Sequence, residues 1–178
     1  MAFVISEETL RIIFREGGIP VDQWGVPGTR TLSQLAKDFA SGERELGWDA
    51  EHGWYQIVRL VRFIIVHPEK GTLFESHQIE PGGNRLERNQ PPGGKMKTGE
   101  DPRLAAERER GEELPILKGK TLITLDVSRT FKSSKSCPGL LSLFEYHDFS
   151  IETSGDEIPD DYSVRDHDGK MLYFAWKK

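Results

Sequence analysis

The chain has a single cysteine in 178 residues, Cys137 in the stretch SSKSCPG. No intramolecular disulfide can form, and a zinc site built from several cysteines is excluded. A nucleophilic role would need a partner base and a lowered pKa, and the surrounding residues suggest neither, so the thiol reads as an incidental loop residue. The five histidines, His52, His67, His77, His147 and His167, have no zinc-like spacing. Long apolar runs are missing too: MAFVISEETLRIIF is a short apolar start followed by two glutamates, with no basic leader. Neither a secretory signal nor a membrane span is expected, and a cytoplasmic location follows by default. Basic charge is short. With 24 Lys and Arg against 29 Asp and Glu, the net charge is -5, which argues against a general nucleic-acid binder working by phosphate neutralisation. The chain also lacks internal repeats and a sustained heptad, so a coiled scaffold is poorly supported.

What is present suits one sizeable core, at 36% hydrophobic and 30% charged residues. Residues 6–15 read as a short amphipathic helix, with Leu10, Ile13 and Phe14 at helical spacing and Gly17-Gly18 as its stop. Thr31 caps a second helix running to about Ala40. Together these form an N-terminal helical extension over residues 1–50, ahead of a domain over residues 51–178. From Trp54 the pattern turns to strand: residues 57–67, with Val58, Leu60, Ile64 and Val66 on one parity, then a turn and a strand over 72–79. A short strand over 85–89 leads to Gly93-Gly94. Further β-rich segments cover 121–131, 140–151 and 171–176.

Chemistry is concentrated in residues 94–116, GKMKTGEDPRLAAERERGEELPI. Asp101 followed by Pro102 is a cap and first-turn pair, and Pro115 stops the helix, so one helix spans about 102–114. At about 100° per residue, Glu109, Glu112 and Glu113 share one face. Three like charges repel unless a hard cation sits among them, and carboxylate oxygens are ligands that magnesium or manganese prefers. Arg108 stands where it can orient a carboxylate by a charge-assisted hydrogen bond. Gly93 and Gly94, after Pro91-Pro92, let the backbone turn tightly and approach the cation.

Gly94, then Glu100 after five residues, Arg108-Glu109 after seven more, and Glu112-Glu113 closing the run resemble the Nudix box, G-x5-E-x7-R-E-U-x-E-E-x-G-U. Two positions depart from it: Arg110 stands at an apolar position and Pro115 at a glycine. The resemblance implies an α+β fold in which a mixed β-sheet is sandwiched between helices. It also implies metal-activated water cleaving the pyrophosphate linkage of a nucleoside diphosphate joined to another moiety, or of a related polyphosphate, with Mg2+ or Mn2+. Carried over residue by residue, the metal ligands are the carbonyl of Gly93 with Glu109, Glu112 and Glu113. Glu109 is either a ligand or the proton acceptor, Arg108 orients, and Glu100 shapes the loop. Many family members recruit a downstream acid, for which Asp156, Glu157, Asp160 and Asp161 are candidates. The usual second long helix is missing from the end, so the N-terminal helices or a partner subunit in a homodimer must cover the sheet.

Arg85, Arg88 and Lys95 are candidate contacts for substrate phosphates. Nucleic acid enters only as a capped RNA end, beside dinucleoside polyphosphates, inositol pyrophosphates and nucleotide sugars; no membrane partner is expected. Base stacking could come from Trp24, Trp48, Trp54, Phe74, Tyr146 or Trp176. The competing class is a catalytically weak or inactive module of the same shape that binds a nucleotide metabolite or a protein partner.

Overall fold

The computed structural model describes residues 5–178; the remainder of the short apolar start, residues 1–4, lies outside them. In chain order the elements are α1 (Glu7–Glu16), α2 (Leu32–Ala40), β1 (Glu45–Asp49), β2 (Gly53–Phe63), β3 (Val66–His67), β4 (Gly71–Ile79), β5 (Arg85–Gln90), α3 (Pro102–Glu113), β6 (Leu122–Ser133), β7 (Leu141–Ile151), β8 (Ser163–Arg165) and β9 (Met171–Lys177). One sheet has the order β1-β2-β7-β6; the other runs β3-β4-β9-β8, with β5 paired to β4. The fold class is α+β, as expected. No helix among the described residues is long and apolar enough to cross a membrane.

Contacts divide the chain into two compact units. The first comprises the described residues up to Arg59 with Lys95–Glu100 and Ser128–Glu145. Its helices start where side-chain oxygens satisfy first-turn amides: Ser6 accepts from the Thr9 amide, and Thr31 forms a reciprocal capping box with Gln34. Leu10, Phe14, Leu32 and Leu35 then enter a core with Ile19, Val21, Trp24, Cys137 and Leu140, against which Leu46 of β1 and Trp54 of β2 pack. Within this unit the N-terminal helices therefore provide cover for strand residues. The β1–β2 hairpin is tied at its turn by Asp49 Oδ1, which accepts from the amides of Glu51 and His52.

The second unit comprises Leu60–Gly94, Asp101–Val127 and Tyr146–Lys178. Its core contains Val61, Phe63, Ile65, Leu73, Leu114, Leu117, Phe149, Ile151, Ile158, Leu172 and Phe174. The expected parity of Val58, Leu60, Ile64 and Val66 holds only at its start. Val58 is buried, but beyond it Val61, Phe63 and Ile65 turn inward, and Val66 is exposed. The parity changes between Val58 and Val61, and the strand itself ends after Phe63, where the Ile64 amide donates to the Phe149 carbonyl while the Leu73 amide reaches back to the Ile65 carbonyl. Further along, the β4 register shifts between Glu75 and His77 against both β5 and β9. This bulge breaks the strict alternation of faces beyond Glu75.

Candidate active site

Strand β2 anchors the glycine pair. The Phe63 amide donates to the Pro92 carbonyl at 2.8 Å and the Val61 amide to the Gly94 carbonyl at 3.0 Å, so the loop lies along the strand. Gly93 has φ of 140°, and a β-carbon there would strike the Val61 backbone. Only glycine fits both demands. At Gly94 the obstacle is different: a β-carbon would overlap the carboxylate of Glu109, which occupies that space.

Helix α3 brings the acids to this loop. Asp101 caps it by accepting from the amides of Arg103 and Leu104, and Pro102 opens it. At the other end Leu114 leaves helical geometry with φ of -129° and ψ of 50°, and Pro115–Leu117 form a single tight turn that buries Leu114 and Leu117. Proline at position 115 thus replaces a left-handed glycine exit by a rigid one. Arg110, at the apolar position of the box, is half-buried; its Nη1 donates to the Lys120 carbonyl, while its enclosed Nε has no hydrogen-bond partner. The side chain hides its stem and sends its head across to the next segment, at a cost in unsatisfied polarity.

Of the three box acids, Glu109 and Glu113 are buried and Glu112 lies on the flank of the helix, its side chain 27% exposed. Glu113 Oε2 accepts the Gly93 amide at 2.6 Å. Burial pushes the Glu113 carboxyl well above the usual carboxylate range; the Gly93 amide opposes this, Glu75 and Glu109 add to it, and Arg88 opposes it. Arg108 donates to Glu109 Oε1, and the same Nη1 lies 3.8 Å from Glu112 Oε1. Glu112 Oε2 meets His167 Nδ1 at 2.7 Å. His167 is raised above its ordinary value chiefly by that hydrogen bond and the Glu112 charge. Replacing Glu112 by glutamine is expected to bring the His167 pKa down toward 6.5, as read by an NMR titration of its ring protons; an unchanged pKa would show that the pair does not form in solution.

The other candidates are distributed as follows. Glu100 Oε2 accepts the Lys97 amide in the loop ahead of the helix. Lys95 pairs with Glu43, Arg85 with Glu87, and Arg88 with Glu75. Downstream, Asp156 bonds His67, Glu157 bonds Lys120 and Thr153, and Asp160 bonds Lys70. Lys120 and Thr153 hold the half-buried Glu157 carboxyl down at about 2. Tyr162, just past those acids, donates to the Glu113 carbonyl at 3.2 Å. Among the aromatics, Trp24 is a core residue bonded to the Pro138 carbonyl, Trp48 is exposed against Trp54, Tyr146 lies under the Arg62 guanidinium, Lys177 covers Phe74, and Trp176 meets the His67 ring.

Two residues of the site were not singled out from the sequence: His167 and Glu75. Glu75 carried a signal, since it shares strand parity with the buried Leu73 in TLFESHQI and so places a carboxylate where an apolar side chain is normal. His167 sits in an acid-rich turn and carried none.

Among the described residues, no three His, Cys, Asp or Glu side chains stand together as a ready-made cation cage. The donor set nonetheless suits a hard divalent ion. Glu109 and Glu113 are buried oxygen donors that repel one another, and the glycine cradle leaves room for a carboxylate where a β-carbon would sit. The mutual repulsion of these buried acids is the arrangement a cation would relieve.

No protein-family model and no curated protein sequence matches the chain. Among solved structures it is similar to a binary complex of an Ap4A hydrolase of C. elegans, at 22% identity over 68% of this chain and 80% of that chain, with a TM-score of 0.41. It is also similar to a NUDIX hydrolase from Nitrosomonas europaea, at 17% identity over 66% and 72% of the two chains, with a TM-score of 0.39.

Proposed function

We propose that the chain is a Nudix-type hydrolase that cleaves the pyrophosphate linkage of a nucleoside diphosphate joined to another moiety, or of a related polyphosphate, using Mg2+ or Mn2+. One observation carries the proposal: Glu109 and Glu113 are buried together against Gly93-Gly94, with Glu113 on the Gly93 amide and the Glu109 carboxylate where a Gly94 β-carbon would be. Such acids are expensive to bury unless cationic charge joins them.

A bound divalent cation would supply charge neutralisation for phosphate oxygens and lower the pKa of water. Glu109, Glu112 and Glu113 with the Gly93 carbonyl are the residues that would hold it. Arg108 keeps the Glu109 carboxylate in place by its hydrogen bond. Glu112, the most accessible of the three acids, faces His167, so a proton taken up on this flank has an imidazole beside it to share. Arg85 lies exposed on β5, where it can meet a phosphate of the substrate.

The test is release of phosphate or nucleotide from a panel of dinucleoside polyphosphates, nucleotide sugars and capped RNA ends with Mn2+. Turnover is expected that stops with chelator and falls sharply in Glu112→Gln. Tight binding of a nucleotide by the intact chain without turnover would replace this reading by that of a metabolite-binding module.

A further inference from the structure

Strand β4 carries an acid that neither the helix nor the glycine loop accounts for. Glu75 is 2% exposed. Its Oε2 accepts from Arg88 Nε at 3.4 Å and Gln90 Nε2 at 3.2 Å, both at the long end of hydrogen bonding. Its Oε1 is enclosed and has no hydrogen-bond partner. Protonation does not repair this, because a hydroxyl at that oxygen would lack an acceptor just as the bare oxygen lacks a donor. Nor is the position one where a carboxylate fills space cheaply: Leu73, two residues earlier on the same face, does that with carbon alone. The bulge between Glu75 and His77 marks the same spot in the backbone. Glu75 is also close enough to Glu113 that the two carboxylates repel.

A buried oxygen without a donor, on a side chain that repels Glu113, is completed by a positive partner. Arg88 supplies part of that charge at Oε2. At Oε1 the enclosure leaves no surface open to water, whereas a dehydrated divalent ion is smaller than a water molecule and takes carboxylate oxygens by preference. We infer that Glu75 is a further ligand of the divalent cation held by Glu109 and Glu113, with Oε1 as the donor atom and Arg88 and Gln90 holding the other oxygen in place. This rests on the metal-hydrolase reading and adds to it an acid from outside the box helix. Arg88 then has a positioning task on Glu75, not a substrate contact.

Mn2+ titration of the full chain by calorimetry, without substrate, tests this with Glu75→Gln, Glu75→Asp and Glu113→Gln beside the intact protein. Both Glu75 variants are expected to weaken the Kd for Mn2+ at least tenfold. The glutamine variant should keep or raise the Tm measured in chelator, since the bare charge is gone, and lose the Tm gain that Mn2+ gives the intact chain. A purely structural glutamate would lower the Tm in chelator instead. If Glu75→Gln does not fold, the aspartate variant decides, as it keeps the charge and withdraws the oxygen. A Kd weakened by less than tenfold, with Glu113→Gln losing uptake, overturns this inference and leaves the hydrolase reading standing. Absence of Mn2+ uptake by the intact chain overturns both.

Discussion

Replacing Glu113 by glutamine is expected to cut diphosphate turnover roughly a thousandfold and, in the same molecule freed of metal, to raise the Tm. The two effects have one source. Glu113 is buried against Gly93 with Glu75 and Glu109 nearby, so its ionised form is disfavoured in the folded state. A carboxyl whose folded pKa is raised contributes stability that is fully present below its ordinary value of 4.5 and is lost as pH rises through the raised value. Above the ordinary carboxylate range the intact metal-free chain therefore bears the cost of either protonating or charging this buried acid, a cost that glutamine removes while its oxygen still accepts the Gly93 amide. The expected gain is about 1–3 kcal/mol, or roughly 2–12 °C in Tm. It should shrink toward zero as the pH falls below the carboxylate range, which calorimetric melts in chelator across pH would follow. A Tm that falls at pH 8 would mean that Glu113 is a structural acid and not one kept for a cation.

The two glycines should separate stability from activity. Gly93→Ala puts a β-carbon into the Val61 backbone at a φ that side chains avoid, and neither neighbour can yield. A loss of about 3 kcal/mol or more is expected, seen as a fall in Tm of about 6–12 °C. Gly94→Ala first meets the far end of the Glu109 side chain, which can swing away. Its Tm should move by no more than a few degrees, while turnover falls at least about a hundredfold because Glu109 is displaced. Equal losses of Tm in the two variants would show that the Glu109 carboxylate does not occupy the space over Gly94.

Helix α3 was legible in the sequence because its ends are written in residue types: Asp101 and Pro102 at the start, Pro115 at the stop, with the observed span at Pro102–Glu113. The same holds for α1 and α2, whose caps Ser6 and Thr31 do what their side chains suggest. Strand β1 was not legible. Glu45–Asp49 mixes charge, glycine and tryptophan without alternation, and it becomes a strand because Trp48 meets Trp54 across a hairpin. Strand β8, at three residues, is too short to leave a period, and exists by pairing with β9. Parity along β2 was misread because the loop that docks on Val61 and Phe63 is thirty residues downstream, and local alternation cannot register a distant partner. In the site, the acids on one helix announce themselves by spacing. Glu75 and His167 reach it through folding, and sequence distance erases their relation to Glu113 and Glu112.

All three box acids fall in the last turn and a half of α3. That end of a helix carries roughly half a negative charge of its own from unpaired carbonyls. Were the chain to act on a diphosphate as proposed, the anion would meet a pole of its own sign, reinforced by the side chains, and be turned away until the ion had arrived. On the proposed reading the order of arrival is dictated by the direction of a helix: ion first, anion second, and departure in reverse.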